Sequence, residues 1–143
     1  MRWLAAITEP VWLALDARLP LGRRGENAAA RFLRRLGYAI VARGYRGAIG
    51  EIDLVAVDRR TVVFVEVKTR TSHEAGHPAD AVDEAKQRRL TRLALAYMKR
   101  HDLLECAARF DVVAVTWREK NSRPRIEHFI GAFEAVGFAG MYS

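Results

Sequence analysis

Cysteine is nearly absent from this chain. Its 143 residues include only Cys106, which excludes an internal disulfide and any cysteine cluster for zinc or iron–sulfur. One free thiol fits a reducing compartment, so the cytoplasm is the expected location. Long apolar runs are missing too. Met1 to Leu21 is fairly apolar, but Glu9, Pro10 and Asp16 interrupt it. No apolar run there ends in a small-residue cleavage site, so no signal peptide is expected. No stretch approaches the roughly 20 apolar residues that cross a bilayer, so no stable membrane insertion is expected. Histidine is sparse. His73 and His77 lie in a polar loop without a cysteine at zinc spacing. There is no internal repeat and no low-complexity segment.

Acidic charge is the scarcer sign. The chain has 24 Lys and Arg against 17 Asp and Glu, a net charge of +7, and a pI near 10.2. That balance suits a polyanionic partner, nucleic acid first and an anionic membrane surface second, against the plain alternative of a basic soluble protein. Hydrophobic residues make up 50%, and a chain of this length buries roughly two thirds of its unfolded surface. One domain is expected. The chain divides into an N-terminal extension, 1–21, a domain, 22–130, and a C-terminal tail, 131–143.

Within that domain the apolar spacing predicts a helix from Arg23 to Gly37, with Ala29, Phe32, Leu33 and Leu36 on one stripe. Gly37 suits its C-terminal cap, and Arg34 and Arg35 suit its last turn. Tyr38–Tyr45, Glu51–Val57 and Thr61–Lys68 read as three strands. Alternation in the second puts Ile52, Leu54 and Ala56 on one face and Glu51, Asp53, Val55 and Val57 on the other. In the third, Val63, Val65 and Val67 share one face, and Val62, Phe64, Glu66 and Lys68 the other. A long helix is expected from Pro78 to His101, with Lys86 in its apolar stripe between Val82 and Leu90. A fourth strand follows at Phe110–Trp117, and Arg125–Ile130 suits a short edge strand. Three strands close in sequence form an antiparallel meander. The long helix then makes strands three and four parallel through a right-handed crossover. The expected fold is α/β, an α+β mixed sheet with a helix on each side.

Charge on the strands is what points to a function. Twelve residues separate Asp53 from Glu66, and a hairpin turn at Asp58–Arg60 sets their strands side by side. Glu66 and Lys68 are two apart and share a face. Two carboxylates at close range must share a proton or bind a cation. Carboxylates, a backbone carbonyl and waters suit Mg²⁺. A metal so held lowers the pKa of water and neutralises charge on a phosphoryl oxygen. A lysine beside it can orient the attacking water or stabilise the phosphate. The competing reading is a salt bridge on the surface of a hairpin.

Asp53 followed by Glu66-Val67-Lys68 resembles the PD-(D/E)XK motif of the restriction-endonuclease-like nucleases. The order helix, three strands, helix, strand resembles the core of that superfamily. Gly25-Glu26, Gly50-Glu51-Ile52-Asp53-Leu54, Phe64-Val65-Glu66-Val67-Lys68 and Arg109-Phe110-Asp111 together resemble the YraN-like family, small bacterial proteins akin to Holliday-junction resolvases. The likeness runs from about Leu21 to Val115. Ile52 stands where the superfamily motif names a proline.

The resemblance implies an endonuclease-like core and a Mg²⁺- or Mn²⁺-dependent nuclease acting on DNA more than RNA. It implies Asp53 and Glu66 as metal ligands, the Val67 carbonyl as a third, and Lys68 as the catalytic lysine. Glu26 resembles a first-helix acid aimed at the metal, or is an acid in the favourable first turn. Glu51 is an extra ligand or lies just outside. Lys86 reaches phosphate, pairs with a site carboxylate, or snorkels. Arg70, Arg88, Arg89 and Arg92 are candidate phosphate contacts, against a solvated helix face for the last three. Asp111 is expected to cap or pair locally with Arg109. A homodimer follows by analogy with resolvases. The alternatives are a catalytically weak nucleic-acid-binding module and a scaffold protein whose acidic hairpin is structural.

Overall fold

The computed structural model describes residues 15–71 and 82–136. Most of the N-terminal extension, the loop with His73 and His77, the first residues of the expected long helix and the end of the C-terminal tail lie outside the described residues. In chain order the elements are α1 (Leu21–Arg35), β1 (Ala39–Gly47), β2 (Gly50–Asp58), β3 (Thr61–Thr71), α2 (Glu84–Arg100), β4 (Ala107–Trp117) and β5 (Arg125–Phe133). The strands form one sheet in the order β1-β2-β3-β4-β5. β1, β2 and β3 are antiparallel neighbours, β3 and β4 run parallel, and β5 closes the far edge antiparallel to β4. This is the mixed sheet expected from the sequence, and it is consistent with a restriction-endonuclease-like core.

A helix covers each face. Alternating residues of β3 divide between the two. Val63, Val65 and Val67 pack with Ala29 and Leu33 of α1. Val62 and Phe64 pack with Leu90, Leu93 and Tyr97 of α2. A central strand covered on both sides needs apolar residues on both, and Thr61–Val65 supplies them.

Both helices begin away from the expected positions. α1 starts at Leu21, two residues early, and ends at Arg35. Its end is closed by Gly37 in the left-handed region, φ 96°. The Gly37 N–H donates to the Arg34 carbonyl and the Tyr38 N–H to the Leu33 carbonyl, each at 3.0 Å, a pairing that satisfies carbonyls the helix leaves open. α2 starts at Glu84, because Asp83 caps it by accepting the Lys86 N–H at 2.8 Å.

The largest departure is in β2. Ile52 packs on the α2 side together with Val55, while Leu54 and Ala56 pack on the α1 side. The expected grouping of Ile52 with Leu54 and Ala56 is therefore wrong. The alternation breaks between Ile52 and Leu54, and Asp53 sits at the break. Pairing of β2 with β3 starts only at Leu54↔Val65. Below it, the Asp53 carboxylate accepts the Val67 N–H at 2.8 Å. A side chain takes over where the ladder stops, and the two strands fork.

Candidate active site at the fork of β2 and β3

Three elements line this fork. β2 brings Glu51 and Asp53, β3 brings Glu66, and α2 brings Lys86 and Arg89. With Gly50 these residues line a cleft of about 240 Å³, floored by Leu90 and Leu93. Glu66 is buried, and Lys86 Nζ lies 2.7 Å from its Oε1. The cap on α2 explains the reach of Lys86. It is the third residue of the helix, so its backbone is tied to Asp83 while its side chain runs back toward β3.

Burial pushes the Asp53 carboxyl up to about 7, and the Glu66 charge adds to that shift. The Val67 N–H and the Lys86 ammonium pull the other way without overcoming it. Glu26 also raises Asp53 by its charge, although it belongs to α1 on the opposite face of the sheet. Its charge is felt at Asp53, but Glu26 does not line the cleft. Glu26 is not in the first turn of α1, which holds no acid. The helix-end explanation for an acid at this place therefore falls away.

Gly25 shows why α1 comes so close. A Cβ there would stand 1.9 Å from Thr69 Oγ1, so only glycine allows α1 to lie on β3 at this level. The next residue is Glu26, and the neighbour of Thr69 is Lys68. Lys68 is half-buried and, two positions past Glu66, keeps the alternation of β3. It does not line the cleft.

The remaining candidates are spread around the site. Glu51 lines the cleft but also pairs with Arg46 across β1–β2 at 3.3 Å. Val67 supplies the N–H that holds Asp53. Arg88 pairs with Glu84 at 2.8 Å on an exposed face, with the two side chains 61% and 71% accessible. Arg92 is exposed on α2, and Arg70 is half-buried near the end of β3. Among the described residues no three His, Cys, Asp or Glu side chains form a group that holds a metal unaided. Mg²⁺ is commonly held by one or two carboxylates completed by water and phosphate oxygens. The Asp53–Glu66 pair would offer oxygen donors to such an ion once Asp53 gives up its proton.

A second polar cluster was only partly legible. Asp111 is fully buried and accepts from Arg109 Nε at 3.0 Å, as the sequence suggests. It also meets His128 Nε2 at 2.8 Å and accepts the Gly131 N–H at 3.0 Å. Arg109 reaches on to Tyr38 and Asp58. Burial alone would raise the Asp111 carboxyl, but the hydrogen bonds from His128, Arg109 and Gly131 hold it below its ordinary value. This cluster ties β5 to β4 and to the end of α1, away from the fork. No helix among the described residues is long and apolar enough to cross a membrane.

Comparison with known proteins agrees with the family resemblance. Residues 25–115 match the model of "Uncharacterised protein family UPF0102". A UPF0102 protein of Rhodopirellula baltica is 52% identical over 132 residues, covering 90% of this chain and 79% of that one. A UPF0102 protein of Geobacter sulfurreducens is 49% identical over 114 residues, covering 80% and 88%. One of Syntrophotalea carbinolica is 46% identical over 121 residues, covering 85% and 97%. The matched span contains Glu26, the whole fork and Asp111, and by it the chain belongs to the UPF0102 family, the YraN-like family that its motifs resemble.

Proposed function

We propose that the protein is a metal-dependent nuclease that hydrolyses phosphodiester bonds in DNA, with branched or single-stranded structures as its substrates. The observation that supports this reading is the fork itself. Two carboxylates are gathered where β2 leaves β3, and one of them is pushed up to about 7 by burial and by its neighbour. Such a pair shares a proton or takes up a cation, and this reading takes the cation. Asp53 and Glu66 would hold Mg²⁺ or Mn²⁺, with the Val67 carbonyl as a further oxygen. When bound, the ion supplies a water of lowered pKa and neutralises charge on a phosphoryl oxygen.

The chain's own residues do the rest. Lys68 Nζ hydrogen-bonds the attacking water and stabilises the charge that grows on the phosphate. Lys86 Nζ holds Glu66 in place at 2.7 Å and is near enough to pass to a phosphate oxygen. Arg89, at the rim of the cleft, faces the backbone of the strand. The reading places the protein in the cytoplasm with its DNA, and a two-fold dimer would match a two-fold junction.

The test is a panel of linear, flapped and four-way DNA substrates with Mg²⁺ or Mn²⁺. Wild type should cut at least one of them. Asp53→Asn and Lys68→Ala should each lower the rate by on the order of 10²-fold or more, as expected for lost positioning and electrostatic stabilisation. No cleavage by wild type, or equal cleavage by either variant, defeats the catalytic reading. The Lys86–Glu66 ion pair favours one alternative, a binding module whose lysine already neutralises the site. That alternative predicts binding to the same panel without metal-dependent cleavage.

A further inference from the structure

A second cleft opens at the carboxyl ends of β3 and β4, on the α1 side. It measures about 660 Å³, and its wall carries Arg18, Arg24, Arg118 and Lys120 against one acid, Glu119. Thr71, at the end of β3, forms part of the wall. Thr71 is three residues beyond Lys68, so the cleft begins on the order of 10 Å from that lysine at a strand rise of about 3.3 Å per residue.

The loop that presents two of these cations is held in place. The Trp117 Nε1–H donates to the Ser122 carbonyl at 3.1 Å. Ser122 Oγ donates to the Glu119 carbonyl at 2.8 Å and accepts the Glu119 N–H at 3.3 Å. From the other side, buried Arg24 in the first turns of α1 donates Nη2 to the Lys120 carbonyl. Its guanidinium stacks over Trp117 at 4.4 Å and is steadied by Asp16 at 3.4 Å. Arg24 is thereby used as a structural clamp. Arg18, Arg118 and Lys120 are exposed, and none forms an ion pair among the described residues. The clamp fixes the backbone from which Arg118 and Lys120 project.

We infer that this cleft binds the phosphate backbone of the DNA flanking the scissile bond, with Arg118, Lys120 and Arg18 as its phosphate contacts. The inference rests on the proposed nuclease reading for its partner. Charge complementarity chooses the ligand, because the cleft carries cations in excess and the chain as a whole carries +7. Thr71 lies three residues from Lys68 on the same strand, which sets this cleft beside the proposed catalytic lysine.

The experiment is fluorescence anisotropy of a labelled four-way junction with the full chain in EDTA, so that nothing is cut, titrated with KCl. Removal of one cation that neutralises a phosphate should reduce the log–log salt slope by about 0.9. The double variant Arg118→Ser/Lys120→Ser should therefore flatten the slope by about 1.8. A charge-matched control, Arg60→Ser/Arg100→Ser, alters exposed residues at the opposite end of the sheet and should keep the wild-type slope. If both doubles flatten the slope alike, or if the cleft double keeps the wild-type slope while wild type binds, the cleft does not hold the DNA and the nuclease reading stands untouched. If wild type binds neither this junction nor the linear and flapped DNAs, the inference fails, and the nuclease reading is judged separately by cleavage of the same DNAs with Mg²⁺ or Mn²⁺. Thermal melts of the two doubles that overlay wild type show that the fold is intact.

Discussion

Burial and a neighbouring carboxylate act on Asp53 in the same direction, and the result has a sign that can be measured. Its folded pKa, about 7, lies above the ordinary value of an unfolded aspartate, about 3.9. Between those values the folded chain binds more protons than the unfolded one, so stability falls as pH rises. The contribution is fully present below about pH 4 and is lost as pH passes through about 7. Without divalent cations, Asp53→Asn should therefore melt several degrees above wild type at pH 8 and lose that advantage near pH 4. A thermal melt series across pH checks this, and Mg²⁺ should narrow the gap at pH 8 by stabilising wild type alone. Asp111 has the opposite sign. Its lowered pKa gives stability that is present above the unfolded value and lost as pH falls through the folded one. Asp111→Ala leaves His128 and the Gly131 N–H without this acceptor and Arg109 with only Asp58 and Tyr38, at a cost of roughly 3–5 kcal/mol in denaturant unfolding. At this scale Asp53, Glu66 and Lys68 stood out in the sequence because charge on a covered strand is conspicuous. His128 did not, because its tie to Asp111 depends on how β5 lies against β4, and a lone histidine on an edge strand carries no such signal.

Among the elements, α1 and α2 reach the fork by different local devices. α2 is started by Asp83, and that start fixes Lys86 at the third helical position, opposite Glu66. The cap was present in the sequence as Asp83-Glu84-Ala85-Lys86, but Pro78 drew the expected start too far upstream. α1 depends on Gly25 against Thr69. Gly25→Ala should destabilise the protein by roughly 1–3 kcal/mol, as overpacking does, and should move Glu26 away from Asp53. Thr69→Ala removes the obstructing hydroxyl and methyl. The double variant should then recover most of the loss, so a double-mutant cycle by urea unfolding should give a coupling of at least about 0.5 kcal/mol. Additive effects would mean that the two residues do not meet. The faces of β2 were misread because alternation assumes an unbroken strand, whereas the Asp53 carboxylate ends the pairing with β3.

For the molecule as a whole, the order of strands followed from two simple facts. Short connections make a meander, and a helical crossover makes strands parallel. The edge strand β5 extended beyond its expected end, to Phe133, because its last residues pack against β4, with Phe133 stacked on Phe110 at 4.7 Å. The fold sets a break in the β2–β3 pairing, and it gathers Asp53, Glu66, Lys86 and the field of Glu26 at that break. The central claim is that this break is a cation site. The direct measurement is calorimetric titration of Mn²⁺ into the full chain at pH 7.5, wild type beside Asp53→Asn and Lys86→Met. Wild type should bind, and Asp53→Asn should lose at least about tenfold in affinity, which is about 1.4 kcal/mol. Lys86→Met should bind more tightly, because its ammonium no longer competes for Glu66. No binding by wild type, or equal binding by Asp53→Asn, would contradict the claim.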